Sequence, residues 1–164
     1  MSFGAQLQAD GTTRFRLWAP SVAEVHVEFR ESHKTIDRQA MQDIGGGWFE
    51  AVLENRPAGT LYSYVLPDGT RVPDPASRFQ PYDVHGPSEV IDPRSYRWNT
   101  PEWEPRPWHE AVLYEIHVGS FTQEGTFAAA ARRLDHLAEI GITGVQIMPI
   151  ADFSGARNWG YDGV

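Results

Sequence analysis

The chain has 164 residues, of which 41% are hydrophobic and 12% aromatic, so it is long and apolar enough for one or two domains with a buried core. Its formal net charge of -8 comes from 22 acidic and 14 basic residues with no basic stripe, which argues against nucleic acids and anionic membranes as partners. The chain has no cysteine, no long apolar run and no signal-peptide pattern at its start, so a cytoplasmic location is expected.

Two segments near the amino terminus are predicted to be half-buried strands. In residues 13–19, the alternation of side chains places Phe15 and Leu17 on one face. Residues 22–29 repeat the pattern, with an apolar face of Val25, Val27 and Phe29 opposite a solvent face of Glu24, His26 and Glu28. Each segment therefore contributes one face to a buried core.

Further strands are predicted in residues 45–55 and 60–72, which are separated by turns containing glycine and proline. Because the strands are short and no helical period lies between them, residues 1–92 are predicted to form a β-sandwich of immunoglobulin-like size. Trp18 lies inside a strand pattern and Trp48 begins one, so both are predicted to be core residues.

Residues 93–110 are predicted to be a Pro-rich strap between domains. Most prolines of the chain fall between Val72 and Trp108. Proline at that density fixes φ and removes hydrogen-bond donors, so the segment is expected to be extended and packed against a surface through its aromatic side chains.

Residues 111–164 are predicted to contain a strand, a helix and a second strand. The strands are residues 111–118 and 143–150, and the helix runs from an N-cap at Thr126 to a stop at Gly141. Its apolar stripe consists of Phe127, Ala130, Ala131, Leu134, Leu137 and Ala138. A crossover of this length indicates parallel strands, with which both a doubly wound sheet and a (β/α)8 barrel begin.

Such a β-α-β unit is not a finished architecture, because parallel strands are normally buried on both faces. Two strands and one helix leave unpaired edges and an open apolar face. We therefore expect the chain to belong to a larger protein. We also expect this unit either to self-associate or to be less protected than the β-sandwich.

General motifs identify no reaction. No G-x-G-x-x-G follows the first strand of the unit, and no P-loop, H-E-x-x-H or G-x-S-x-G is present, so no cofactor and no metal site is expected. His117 follows the first strand, where a histidine is more often a hydrogen-bonded core residue than a catalytic one. Glu115 and Asp162 could converge at the carboxyl ends of the two strands, although any two acids near a barrel mouth could do so.

A family resemblance adds what these patterns leave open. The strings YEIHVGSFTQEGTF (114–127), GVQIMPI (144–150) and NWGYDGV (158–164) resemble the first part of the catalytic barrel in the α-amylase superfamily of glycoside hydrolases. DPASRFQPYDVHGPSEVIDP (74–93) is similar to the trehalose-releasing members of that superfamily. FRLWAPSVAEVHV (15–27) resembles the immunoglobulin-like module that precedes the barrel in those members and in branching and debranching enzymes.

The fold that the resemblance implies is mainly β. It consists of an immunoglobulin-like β-sandwich followed by the first β-α-β unit of a truncated (β/α)8 barrel. The implied boundaries are 1–92 for the sandwich, 93–110 for the strap and 111–164 for the barrel unit.

The function that the resemblance implies is hydrolysis of the α-1,4 bond next to the terminal trehalose of maltooligosyltrehalose, which releases trehalose. The family uses the retaining mechanism, with an Asp nucleophile and a Glu acid at the ends of the fourth and fifth barrel strands. Those strands are beyond this sequence, so no catalytic residue is expected within it, and the chain alone is expected to be inactive. The implied substrate is a maltooligosaccharide or maltooligosyltrehalose.

The site residues that the resemblance implies lie in the loop after the second strand. Tyr161 matches the family tyrosine whose ring stacks on the glucose at the cleavage point, and Asp162 matches its polar neighbour. His117 and Trp159 are implied only as supporting residues around them. Asp162 is also a residue type that closes turns, and Tyr161 could instead pack at the barrel rim.

Two other functions stay open at this point. The chain could be the same part of a glycogen branching or debranching enzyme. It could also be a non-catalytic glucan-binding module, which would use exposed aromatic side chains such as Trp48, Trp98 or Trp103.

Overall fold

The computed structural model describes residues 3–31 and 34–163. It divides into two compact units, Met1–Arg97 and Trp98–Val164, which are described separately below. The division falls within the 93–110 segment.

The first unit is a sandwich of two antiparallel sheets. One sheet has the strand order β1-β2-β6-β5, and the other has the order β4-β3-β7-β8, with β9 also paired to β7. The strands are β1 (Gln6–Leu7), β2 (Thr13–Trp18), β3 (His26–Glu31), β4 (Lys34–Ala40), β5 (Gln42–Asp43), β6 (Trp48–Leu53), β7 (Leu61–Val65), β8 (Arg71–Val72) and β9 (Ser88–Glu89). The predicted β-sandwich is therefore confirmed.

The core between the sheets is built around aromatic rings. Phe15 of β2 contacts Phe29 of β3 and Tyr62 of β7 at centroid distances of 5.3 and 5.0 Å, and Tyr62 contacts Tyr64 at 5.9 Å. All three pairs are edge-on, the geometry that the ring quadrupoles favour. The remaining core residues are Ala5, Leu17, Val25, Val27, Met41, Phe49, Ala51 and Val90.

Three predictions for side chains on the sandwich are wrong. Trp18 is not a core residue, because side chains alternate along a strand and the inward direction of Leu17 turns Trp18 outward, where it is 58% exposed. Trp48 is only half-buried and is not a core residue either, because the inward direction of Phe49 turns it outward. Glu28 does point away from the core but is not exposed to solvent, because Arg38 of β4 and Arg71 of β8 cover it.

One strand of the sandwich and one strand boundary differ from the predictions. Strand β4 has no regular alternation of apolar and polar residues and was not predicted, although it pairs with β3 along its whole length. The second predicted strand begins four residues later than expected, at His26 rather than Val22, while Val25 is still buried. Pairing with neighbours, rather than local pattern, determines both features.

The segment after β8 is held by a buried carboxylate. Asp74 accepts hydrogen bonds from the hydroxyls of Tyr62 at 2.7 Å and Tyr64 at 3.2 Å, and from the backbone of Ala76 at 2.7 Å. Its own backbone N–H donates to Ser88 at 3.0 Å. Burial raises the pKa of Asp74, and the hydrogen bonds from the tyrosines and Ala76 oppose that rise.

Only the first part of the Pro-rich segment contains buried residues. Val84, Ser88 and Val90 are buried, whereas every residue from 93 to 110 is exposed. The packing expected of the whole segment from Val72 to Trp108 is thus seen in its first part, while the rings of Trp98, Trp103 and Trp108 are exposed.

The second unit contains a parallel pair of strands joined through helices. Strand β10 (Leu113–Ile116) is followed by the helices α1 (Val118–Phe121), α2 (Phe127–Ala131) and α3 (Leu134–Glu139), and then by β11 (Gly144–Ile147). The two strands are parallel and in register from Leu113↔Gly144 to Ile116↔Ile147. The predicted order of strand, helix and parallel strand is confirmed.

The predicted single helix is divided in two. Thr126 is its N-cap, since its hydroxyl accepts from the N–H of Ala129 at 3.2 Å, and Gly141 follows the helix end with a φ of 93°. Between these points, α2 and α3 are separated at residues 132–133. Only part of the apolar stripe is buried, because Phe127 and Leu134 are exposed. Among the described residues, no helix is long and apolar enough to cross a bilayer.

We predict that the second unit exchanges its amide protons faster than the sandwich. Val27 is fully buried in a strand with partners on both sides, whereas Ile147 is 47% exposed and β11 pairs only with β10 among the described strands. Hydrogen exchange on a demonstrated monomer should show Val145 and Ile147 exchanging at least about tenfold faster than Val25 and Val27. Equal protection would contradict this expectation, and a concentration-dependent slowing would support the predicted self-association.

We also predict that Glu28 makes the sandwich acid-sensitive. Burial alone would raise its pKa, but hydrogen bonds from Arg71, Arg38 and Thr35 outweigh burial and lower the pKa of Glu28 from 4.5 to about 2. The unfolded chain therefore binds more protons between pH 4.5 and 2, so this stabilisation is fully present above pH 4.5 and is lost as the pH falls towards 2. Its size is on the order of 2 to 3 kcal/mol.

Urea unfolding of the wild type and Glu28→Gln, followed from pH 7 to pH 2.5, measures this contribution. The variant should be less stable at pH 7, and the gap between the two proteins should close as the pH falls. Glu24→Gln, the same substitution at an exposed carboxylate of the same unit, serves as a control for general charge effects. A constant gap at every pH would show that the ionised form of Glu28 is not stabilised.

Candidate functional site

The carboxyl ends of β10 and β11 form the base of the candidate site. Because the strands are parallel and in register, Glu115 lies beside Gln146, whose side-chain amide donates to Glu115 Oε1 at 3.2 Å. Ile116, the next residue of β10, is buried, which anchors the strand beside the position where these polar side chains emerge. The site therefore has a carboxylate held at a fixed place on its floor.

Tyr161 meets this carboxylate from the loop that follows β11. Its hydroxyl donates a hydrogen bond to Glu115 Oε1. That hydrogen bond, with a smaller contribution from burial and from the negative charge, raises the pKa of the Tyr161 phenol. The ring itself is 65% exposed, so Glu115 fixes the orientation of an aromatic plane that is open to solvent.

His117 holds the start of the same loop. Its Nε2 lies 2.9 Å from the carbonyl oxygen of Asn158, and since a carbonyl only accepts, Nε2 carries the proton. Gly160 packs close by with a φ of 107°, and a Cβ there would lie 2.9 Å from the sulfur of Met148. The positive φ favours glycine at this position, while the methionine side chain could shift to admit a Cβ.

The remaining predicted residues have different surroundings. Asp162 accepts from the backbone N–H of Trp159 at 3.2 Å, so one of its oxygens closes the turn while the residue stays exposed. The Trp159 side chain is 90% exposed, and the hydrogen bond from Trp159 to Asp162 is made by its backbone N–H. The structure therefore brings Tyr161 and His117 into one supported loop and leaves Trp159 projecting from it.

A cavity of about 590 Å³ lies beside the start of this loop. His117 and Asn158 line it together with Gly119, Phe127 and Met148, while Tyr161 and Asp162 do not. The aromatic plane and the cavity are therefore two separate features of this unit.

Two residues of the site were missed or undervalued by sequence reasoning. Glu115 was considered only as a partner for Asp162, whereas it accepts a hydrogen bond from Tyr161. Alternation of side chains along β10 could have indicated its role, because it puts Glu115 and His117 on the same side. The sequence around Gly160 indicated only that the loop contains a turn. Among the described residues, no group of three His, Cys, Asp or Glu side chains is arranged to hold a metal ion.

Comparison with known proteins gives the family of the first unit. Residues 2–93 match carbohydrate-binding module 48 (isoamylase N-terminal domain), which is more than half of the chain. The chain belongs to this carbohydrate-binding module 48 family. The match covers nearly all of the sandwich, in which the resemblance predicted an immunoglobulin-like module.

Curated relatives extend the similarity over both units. The chain is 43% identical over its whole length to the malto-oligosyltrehalose trehalohydrolase of Saccharolobus solfataricus, of which it covers 28%. It is 44% identical to the enzyme of the same name from Deinococcus radiodurans, with 92% of the chain and 24% of the relative covered. A 1,4-alpha-glucan branching enzyme of Bacillus caldolyticus is 30% identical, with 98% and 27% covered. The module 48 chain thus matches the N-terminal region of these enzymes and spans about a quarter of their length.

Solved structures agree with this placement. A putative alpha amylase from Salmonella typhimurium superposes with a TM-score of 0.88 at 48% identity and covers 99% of this chain, which in turn covers 27% of that one. A pullulanase variant from Paenibacillus barengoltzii, complexed with maltotetraose, superposes with a TM-score of 0.79 at 25% identity, covering 99% of this chain and 31% of its own. The relatives of this module 48 chain are α-amylase family glycoside hydrolases.

Proposed function

We propose that the chain is the N-terminal part of a retaining glycoside hydrolase that cleaves the α-1,4 bond next to the terminal trehalose of maltooligosyltrehalose and releases trehalose. The observation that carries this proposal is the 43% identity to a malto-oligosyltrehalose trehalohydrolase over the whole chain, in both units rather than in the module alone. Residues 111–164 then form the first β-α-β unit of the catalytic barrel, preceded by the 93–110 strap.

Tyr161 would be the platform for the glucose at the cleavage point. A pyranose presents an apolar C–H face to an aromatic plane, and the ring of Tyr161 is exposed and oriented by Glu115. His117 would act through the backbone, by holding the loop at Asn158. Asp162 would accept hydrogen bonds from the hydroxyls of the sugar in addition to closing its turn. Trp159 would support the loop only through the hydrogen bond of its backbone N–H to Asp162.

The bond-breaking groups would come from the rest of the longer polypeptide. Retaining hydrolysis needs a carboxylate nucleophile and a carboxylic acid about 5 to 5.5 Å apart, and the resemblance assigns both to later barrel strands. In this proposal the present residues bind and orient the sugar, which lowers the barrier by fixing the reacting geometry. They make no covalent bond to it.

A branching enzyme is the second candidate, because the B. caldolyticus branching enzyme is 30% identical over nearly the whole chain. The two candidates differ in their products. A trehalohydrolase forms free trehalose from maltooligosyltrehalose, whereas a branching enzyme forms new α-1,6 branch points. The higher identity to the trehalohydrolases favours the first.

We predict that the 164-residue chain alone releases no trehalose from maltooligosyltrehalose. A longer polypeptide that begins with this chain and contains a complete barrel should release it. Chromatography of the products of both proteins, alongside a buffer blank, measures this. Trehalose formation by the short chain would contradict the assignment of the catalytic carboxylates to later strands, and new branch points without trehalose would favour the branching enzyme.

We predict that Tyr161→Ala in the longer polypeptide lowers kcat/KM by about 30- to 1000-fold, since stacking and ordering of the reacting sugar together contribute about 2 to 4 kcal/mol. Tyr161→Phe keeps the ring and removes only the hydrogen bond to Glu115, so we expect a loss of about tenfold or less. Trp103→Ala, which removes an exposed ring outside the site, is the matched control. Unchanged kinetics in a correctly folded Tyr161→Ala protein would show that Tyr161 is a packing residue.

A further inference from the structure

The Glu115 carboxylate has more hydrogen-bonding capacity than the loop uses. Its Oε1 accepts from the hydroxyl of Tyr161 and also from the side-chain amide of Gln146, the latter at 3.2 Å. Among the described residues, none donates a hydrogen bond to its other oxygen, Oε2. An ionised carboxylate has about four lone-pair sites, so those on Oε2 remain available to a ligand.

The free oxygen of Glu115 lies beside the exposed ring of Tyr161. Oε2 is bonded to the same carboxyl carbon as Oε1, and Oε1 contacts the hydroxyl at the edge of that ring. The ring is 65% exposed and Glu115 is itself exposed, so a ligand lying on the ring has access to both. A stacked pyranose carries a rim of hydroxyls, and this rim extends towards the edge of the ring on which it lies.

The carboxylate is fixed before any ligand arrives. Glu115 and Gln146 are directly paired in the parallel ladder of β10 and β11, and the Gln146 amide holds Oε1 from the neighbouring strand. Ile116, the next residue of β10, is buried and keeps the strand in place. Because its orientation is already set, a hydrogen bond to Oε2 costs little additional conformational entropy.

The charge of the site indicates which kind of ligand fits. Asp162, which follows Tyr161 in the chain, also uses only one oxygen, to accept from the backbone N–H of Trp159. Among the described residues, neither Glu115 nor Asp162 forms an ion pair with an arginine or lysine. Two such carboxylates attract hydrogen-bond donors and repel anions, so a neutral polyhydroxylated ligand fits and a phosphorylated one does not.

Support of the Tyr161 ring does not by itself explain a carboxylate at position 115. Holding the phenol hydroxyl requires one acceptor oxygen, which a neutral amide also supplies. A carboxylate adds a negative charge and a second acceptor, and hydrogen bonds to charged groups are the stronger ones. The second oxygen is therefore the feature of Glu115 that its contacts within the loop leave unused.

We propose that Glu115 binds the substrate as well as positioning Tyr161: its Oε2 accepts a hydrogen bond from a hydroxyl of the sugar that stacks on the Tyr161 ring. That this sugar is the glucose at the cleavage point rests on the proposed function. Glu115 forms no covalent bond to the sugar and transfers no proton. It contributes to the selection of a neutral sugar and to its orientation on the ring.

The test is a double-mutant cycle in the longer polypeptide, with Glu115→Ala, Tyr161→Phe and the two changes combined. In Tyr161→Phe the hydroxyl is absent, so Glu115 can no longer act through it. Adding Glu115→Ala to that variant should still lower kcat/KM for trehalose release by about 10- to 100-fold, the effect of losing a hydrogen bond to a charged group. Equal kcat/KM in Tyr161→Phe and the double variant would show that Glu115 only supports the ring, and would overturn the proposal.

Matched variants separate a lost contact from a lost fold. Glu115→Gln keeps the length of the side chain and one acceptor oxygen, so its loss should be smaller than that of Glu115→Ala. Glu139→Ala, which removes an exposed carboxylate on α3, should stay within about twofold of wild type. Circular dichroism and the urea midpoint of each variant verify the fold. A loss in Glu139→Ala as large as that in Glu115→Ala would mean a general charge effect and would contradict the proposal.

A spectroscopic measurement on the 164-residue chain tests the starting geometry without any activity. The hydrogen bond to Glu115 raises the pKa of the Tyr161 phenol, so Glu115→Ala should lower that pKa towards 10. Carbon-13 NMR of labelled tyrosine, with the Tyr161 signal assigned from Tyr161→Phe, follows this titration. An unchanged pKa would show that the two side chains are not bonded, and the proposal would fall.

The products of the longer polypeptide separate this inference from the proposed function. New branch points instead of trehalose would overturn the proposed function and leave Glu115 to be judged by the same cycle, with branch formation as the measured rate. Trehalose release with no effect of Glu115→Ala in the Tyr161→Phe background would overturn the substrate contact and leave the proposed function standing.

Discussion

The first unit depends on one buried carboxylate. Asp74 binds the hydroxyls of Tyr62 and Tyr64, which are the largest fully buried side chains of the sandwich, and so connects the aromatic core to the segment that follows the last hairpin. Without that acceptor, the buried Tyr62 hydroxyl would lose its hydrogen bond, which is expensive in a core, whereas the Tyr64 hydroxyl would keep its bond to the carbonyl of Arg16 at 3.0 Å. Its backbone bond with Ser88 fastens the segment a second time.

The same anchor shapes the surface of the sandwich. The residues from Asp74 to Ala76 line a surface groove together with Trp18 and Trp48, so the carboxylate that completes the core also positions part of that groove. On the opposite sheet, Glu28 is bound by two arginines and presents a satisfied, polar surface instead. The two outer faces of one sandwich thus have different chemistry because their cross-strand neighbours differ.

In the second unit, the residues of the candidate site are positioned by contacts of a loop backbone rather than by a buried core. Gly160 adopts a positive φ that glycine accommodates without strain, and His117 is hydrogen-bonded to the loop backbone at Asn158. These two contacts set the position from which Tyr161 reaches Glu115. An aromatic platform of this kind is therefore precise because its backbone is fixed, even though the ring itself is exposed.

The sequence by itself determined the two-part organisation, the β-sandwich, the parallel β-α-β unit and the family resemblance that singled out Tyr161, because side-chain periodicity and local strings record local structure. It did not determine which partner each exposed residue meets. Strand β4 lacks alternation and depends on pairing with β3, Trp18 faces outward into a groove assembled from distant segments, and Glu28 is buried by arginines from two other strands. Those features join residues that are far apart in the chain, so only the tertiary structure decided them.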